Sequence, residues 1–242
     1  MRTGSCIGGK WFHPQSESIL RNVNPADHAD VLCEFPMATA ADVDRAIGAA
    51  TEAFASWKRV PAPERGRVLW RAADLARARK DEIARTLTRE EGKILAEAKG
   101  EVMKGVNVLE FYAGEGFRIE GQTLPSETKD CFTYTIRRPL GVVGLITPWN
   151  FPWAIPCWKI APALVAGNTV VFKPAASTPA TATLLVEIFE EAGLPPGVLN
   201  LVVGPGSQVG DTIVQHPYTK VLSFTGSNQI GGALYTDASK KG

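Results

Sequence analysis

Four short stretches of this sequence gather residue types that can do chemistry. In LITPWNFP (residues 145–152), Trp149 and Asn150 sit between Pro148 and Pro152, directly after the apolar run GVVGLIT. A carboxamide held in a rigid turn can donate to an oxygen that becomes negative in a transition state. Losing such a donor typically costs on the order of 100-fold in rate. Trp149 offers an apolar wall for a flat ring, and the competing role for Asn150 is a turn residue bonding its own backbone. In VVFKPA, Lys173 ends an apolar strand pattern, where it either snorkels to solvent or holds an anion or hydroxyl at the sheet's mouth. GPGSQVG spaces Gly204, Gly206 and Gly210 as GxGxxxG, which departs from the GxGxxG fingerprint and suits an ordinary strand-to-helix turn. FTGS (Phe224, Thr225, Gly226, Ser227), followed by Gly231, stands between a strand pattern and a helix pattern. Amides at that helix start, with the Ser227 hydroxyl, can receive a pyrophosphate; alternatively, Ser227 only caps its own helix.

All four stretches fall at the ends of apolar runs that read as strands: Val142–Ile146, Thr169–Lys173, Val198–Val203 and Lys220–Phe224. Helical patterns follow each, closing at Ala166-Gly167-Asn168, over Ala180–Ala192, near Gln208–Gln215 and over Asn228–Ser239, with Gly or Pro where helices stop. β-branched strands alternating with helices predict an α/β fold, a doubly wound, mostly parallel Rossmann-like sheet. Ligands of such sheets bind at the carboxyl ends of the strands. Those ends carry Thr147–Asn150, Lys173–Ala176, Gly204–Ser207 and Thr225–Ser227.

Upstream, the first forty residues read as short strands and turns, punctuated by Gly8-Gly9, Asn24-Pro25 and Pro36. Thr39 with Asp42 reads as a helix start, and Val43, Ala46, Ile47, Ala50 and Phe54 carry that helix to Trp57. Beyond Pro61 and Pro63, one amphipathic helix is predicted through Val68, Ala72, Leu75, Ala76, Ile83 and Leu87, and another over Ile94 to Tyr112. At residues 129–144 the period changes: Phe132, Tyr134 and Ile136 alternate with Thr133, Thr135 and Arg137, a half-buried strand suited to an arm lying on another surface. The expected division is a region of strands and helices (1–128), a β-arm (129–141) and a nucleotide-binding core (142–242).

Composition sets the outer bounds. With 242 residues, 45% hydrophobic and 21% charged, the chain is ordinary globular protein, and a net charge of +1 gives no basic stripe for nucleic acid or anionic membrane. No apolar run reaches the roughly 18 residues of a membrane helix, and the N-terminus has no signal-like apolar core. Cys6, Cys33, Cys131 and Cys157 form no CxxC pair and the three histidines no HxxxH pair, so no metal site is expected and a reducing, cytoplasmic setting fits.

Taken in order and at this spacing, PWNFP, KPA, GxGxxxG and FTGS resemble the NAD(P)-dependent aldehyde dehydrogenase superfamily. Asn24-Pro25-Ala26, the Phe54-to-Trp57 stretch and Glu91-Gly92-Lys93 extend the likeness over essentially the whole chain. The resemblance implies that Asn150 helps hold the oxyanion of a cysteine thiohemiacetal. It lines a cofactor cleft with Ile146, Thr147, Pro148 and Trp149, sets Lys173 on the adenosine ribose beside Ala175 and Ala176, and puts Gly206 and Gly210 by the adenine. Phe224, Thr225, Gly226, Ser227 and Ile230 then lie near the pyrophosphate, with Gly226 and Gly231 standing in for the fingerprint. FYAGEG, QTLPSE and EEAGLPPGVLNLVVGPGS are most similar to bacterial semialdehyde dehydrogenases, including those for 2-oxoglutarate semialdehyde. A small aldehyde substrate and a homodimer or homotetramer follow.

Two departures qualify the likeness. NAD-preferring members often carry a ribose-binding glutamate three residues after the lysine; Ala176 stands there, so NADP is expected to bind at least as well as NAD. The family's catalytic cysteine and general-base glutamate match no position here, and Cys157 reads as a packed side chain. The expectation is an N-terminal piece that is inactive and poorly stable alone; the alternative is a catalytically dead nucleotide-binding or oligomerisation module. Phosphate-handling semialdehyde reductases are disfavoured by the intact PWNFP and FTGS pair.

Overall fold

A computed structural model describes residues 2–240. Two short strands, β1 (Ser5–Ile7) and β2 (Lys10–Phe12), and a longer hairpin, β3 (Ile19–Asn24) and β4 (Asp27–Pro36), lead into four helices. These are α1 (Ala40–Trp57), α2 (Ala62–Ala78), α3 (Lys80–Glu91) and α4 (Leu95–Glu115). Thr39 and Asp42 form a reciprocal capping box at the start of α1, as the residue types predict. The single helix expected through Val68 and Leu87 is two: the chain breaks at Arg79 (φ −95°, ψ 15°), whose guanidinium bonds Glu82 and Glu191. Asp81 and Glu82 then occupy the first turn of α3, where carboxylates favour a helix start.

Next comes a small hairpin, β5 (Thr123–Leu124) with β6 (Thr133–Tyr134), paired Thr123 to Tyr134. The predicted arm strand is thus reduced to two paired residues, and its alternation buries neither side: Phe132, Tyr134, Ile136 and Leu140 are all exposed. Its partner, Thr123–Leu124, carried no strand signal.

The remaining elements are β7 (Val142–Ile146), α5 (Ala154–Val165), β8 (Thr169–Lys173), α6 (Pro179–Glu191), β9 (Leu199–Leu201), a single π-helical turn Gly206–Gly210, α7 (Asp211–Gln215), β10 (Thr219–Phe224) and α8 (Asn228–Ser239). The two central strands are buried along their whole length, as expected of a parallel sheet covered on both faces. The main sheet runs β10-β7-β8-β9-β1-β2. Its first four strands are parallel, and the N-terminal hairpin completes one edge antiparallel. Val143, Leu145, Val170 and Phe172 face a core shared with α2 to α6, while Val142, Val171 and Val202 face one shared with α1 and α7.

The helix α4 lies against α5 at Gly105, where an added Cβ would sit 2.3 Å from Trp153 Nε1 and 3.1 Å from Cys157 Sγ. Trp153 and Cys157 are both fully buried and have nowhere to move. Gly105→Ala is expected to destabilise the protein by about 1–3 kcal/mol through overpacking. Gly100→Ala, on the same helix with open space around its Cβ, should instead gain about 0.5–1 kcal/mol. Urea denaturation of the two variants separates these signs.

Candidate active site

The carboxyl ends of three neighbouring parallel strands meet in register: Ile146 of β7 opposes Lys173 of β8 on one side and Phe224 of β10 on the other. Past the last residues the ladder continues by single bonds, Thr147 N–H to Lys173 C=O (3.2 Å) and Thr225 N–H to Ile146 C=O (3.1 Å). Gly210 closes the group, since a Cβ there would lie 3.8 Å from Ile146 Cδ1 and from Lys173 Cδ. Ile146, Thr147, Lys173, Gly210, Phe224 and Thr225 are therefore contiguous.

Two polar groups at these tips are left unspent. Lys173 is 6% exposed, and among the described residues its Nζ bonds only the Pro174 carbonyl, at 3.0 Å. Burial without a counter-charge pulls its pKa down to about 8. Thr147 Oγ1 is buried with no hydrogen-bond partner among the described residues. A buried ammonium and a hydroxyl without a partner among the described residues, both at the strand tips, fit a polar ligand such as a dinucleotide, whose hydroxyls and phosphates would satisfy both.

The PWNFP turn follows directly from Thr147. Asn150 is exposed, but its backbone carbonyl accepts from Lys93 Nζ at 3.0 Å. Lys93 also pairs with Glu101 Oε2 (2.5 Å) and Glu91 Oε2 (3.0 Å) and lies over the Phe151 ring (4.4 Å to its centroid). Burial opposes the Lys93 charge, but bonds to Glu101 and Glu91 outweigh it and hold its pKa above the ordinary lysine range. Glu101 in turn accepts from Trp153 N–H (2.9 Å) and Ala154 N–H (3.1 Å), the first amides of α5.

A parallel arrangement serves α6. Glu90, buried at the end of α3, accepts from Ala180 N–H (2.6 Å), Thr181 N–H (2.8 Å) and Asn22 Nδ2 (2.6 Å). Burial pushes its pKa up to about 7, partly offset by those donors. Beside it lies a cavity of about 540 Å³ bordered by Asn22, Glu90, Trp149, Ala176 and Ser177. Trp149 and Ala176 thus share a wall with each other. Ala175 accepts Thr178 N–H through its carbonyl, and Pro148 is half-buried between the strand tip and the turn.

The FTGS stretch divides. The Phe224 ring covers both Gly226 and Gly231; added Cβ atoms would come within 2.5 Å and 3.1 Å of it. The Ser227 hydroxyl accepts Ile230 N–H (3.4 Å), so it caps its own helix, while Ile230 and Gly206 remain exposed and outside the contiguous group. Cys157 is fully buried, and burial raises its thiol far from the thiolate, in keeping with a packing role. Glu90, Lys93 and Glu101, which organise the site, were read from the sequence only as a fragment of likeness or not at all.

The chain belongs to the aldehyde dehydrogenase family, whose model matches residues 11–242. It is 50% identical over 236 residues to the alpha-ketoglutaric semialdehyde dehydrogenase of Bacillus subtilis, covering 98% of this chain and 48% of that protein. It is 47% identical to the 2,5-dioxopentanoate dehydrogenase of Saccharolobus solfataricus, covering 97% and 49%. Among solved structures, an NADP-dependent enzyme of E. coli superposes with a TM-score of 0.97 at 40% identity, over 99% of this chain and 50% of that one. An NAD-dependent benzaldehyde dehydrogenase of Corynebacterium glutamicum gives 0.94 at 40% identity, over 99% and 52%. The chain spans about half the length of these relatives.

The Glu90 shift has a consequence for stability. Its folded-state pKa, about 7, lies above the unfolded value of 4.5, so the folded state holds the proton more tightly. The resulting stabilisation is full below about pH 4.5 and is lost as pH rises through 7. Between pH 5 and 8 the melting temperature of the wild type should fall relative to that of Glu90→Gln. Parallel curves for the two proteins would show that Glu90 holds no such proton.

Proposed function

We propose that this chain supplies the dinucleotide cleft and the oxyanion donor of an NAD(P)-dependent aldehyde dehydrogenase that oxidises a semialdehyde to its carboxylic acid. The observation that carries this reading is the adjacency, in a member of this family, of the unspent Lys173 and Thr147 groups to a turn that fixes the Asn150 backbone. In this reading Lys173 and Thr147 hydrogen-bond the sugar-phosphate part of the cofactor, with Ile146, Gly210 and Phe224 as apolar walls. Ser227 and the start of α8 face its pyrophosphate. The nicotinamide cofactor held by these residues would supply a hydride acceptor for the substrate carbon. Asn150 donates its side-chain N–H to the aldehyde oxygen as negative charge builds on it, stabilising the transition state more than the ground state. The attacking cysteine thiolate and the water-activating glutamate are none of the residues placed at this site. The exposed apolar side chains of the β5–β6 hairpin suit a homodimer or homotetramer contact.

In the full-length protein containing this chain, Asn150→Ala should lower kcat by about 10²–10³-fold, while the dinucleotide Kd, followed by fluorescence titration, stays close to wild type. Unchanged kcat would remove Asn150 from the reaction.

Cofactor choice follows from Ala176. With no carboxylate there to repel a 2′-phosphate, kcat/KM with NADP should equal or exceed that with NAD. A phosphate near Lys173 favours its ammonium form and raises its pKa from about 8. NADP binding at pH 8 should therefore take up protons, detected by calorimetry in buffers of different ionisation enthalpy, and the uptake should vanish in Lys173→Met. A strong preference for NAD defeats this assignment.

A further inference from the structure

Phe151, the residue after Asn150, has two ammonium groups over its ring: Lys93 Nζ at 4.4 Å and Lys104 Nζ at 5.9 Å from the centroid. Lys104 also stands over Trp158, 4.9 Å from its centroid. Phe151 and Trp158, large apolar residues, are each 37% exposed, so this cation and two aromatic faces form an open patch beside the Asn150 turn.

The two lysines are differently employed. Lys93 is spent, its side chain 11% exposed and bonded to Glu91, Glu101 and the Asn150 carbonyl. Lys104 lies one helical turn beyond Glu101 on α4, is exposed, and pairs with no carboxylate among the described residues. Lys93 is thus fully committed to two carboxylates and a carbonyl and has no charge to spare for an anionic substrate. Lys104 is the cation on the open side that is available to one.

We infer that Lys104 is a specificity-determining residue: its ammonium receives the carboxylate at the far end of an acidic aldehyde whose carbonyl lies at Asn150. The faces of Phe151 and Trp158 flank the short carbon chain between the two ends. An ammonium–carboxylate contact is charge-assisted, and cation–π contacts to both rings hold the lysine in place without neutralising it. This rests on the reading of Asn150 as the oxyanion donor.

The test compares succinic semialdehyde with butanal, a neutral aldehyde of equal length, in full-length wild type, Lys104→Met and Lys104→Arg, by the rate of reduced-cofactor formation. Wild type should prefer the acidic aldehyde. Lys104→Met should lower the acidic-to-neutral ratio of kcat/KM about tenfold or more, mainly through KM of the acid, and abolish the rise of that KM with salt. Lys104→Arg should keep most of the preference. An unchanged ratio in Lys104→Met overturns this inference alone. If wild type oxidises neither aldehyde, the enzymatic reading fails and this inference falls with it.

Discussion

The arrangement at the strand tips depends on a carboxylate that one helix lends to another. Helix α5 begins at Ala154 with no side-chain cap of its own and no acidic residue in its first turn. Its first amides are satisfied by Glu101 of α4, whose second oxygen grips Lys93, which in turn holds the Asn150 carbonyl. A buried carboxylate is costly unless its lone pairs are filled and its charge is balanced. Here backbone amides, the positive end of a helix and an ammonium do both. The PWNFP turn is thereby fixed to α4 and to the loop after α3, rather than hanging freely from β7.

The same solution recurs one unit along the sheet. Helix α6 also lacks a side-chain cap, and Glu90 supplies it across 90 residues of sequence. The two glutamates differ in what balances them. Glu101 meets a lysine, whereas Glu90 meets only neutral donors, and burial raises its pKa. Together they tie the helical layer preceding the arm to the start of each helix that leaves the central strands. Close approach at Gly105 lets α4 reach α5 in the first place.

This pattern explains what could and could not be read from the sequence. Val142–Ile146 and Thr169–Lys173 were legible to the residue because β-branched runs between turn signals have few other uses. The capping box at Thr39 was legible because its two partners lie three residues apart. Glu90 and Glu101 were not, because a carboxylate on an amphipathic helix looks solvated until its partners, 90 and 52 residues away, are placed beside it. A cue did exist: α5 and α6 both start without a bonded cap, and such helices must import one. The break at Arg79 was signalled by Asp81-Glu82 and outweighed by continuous apolar spacing. In the arm, alternation gave the period of the chain but not the presence of a covering surface.

The borrowed caps also bear on why the dinucleotide fingerprint is missing. A helix N-terminus binds phosphate when its first amides are free, as in the glycine-rich turn of a Rossmann unit. At α5 and α6 those amides are already bonded to glutamates, so a phosphate brought there would find them taken. Among α5, α6 and α8, only α8 starts without a carboxylate; its cap is the neutral Ser227 hydroxyl. Gly226 and Gly231, beside that helix start, lie under the Phe224 ring, which an added Cβ at either would meet.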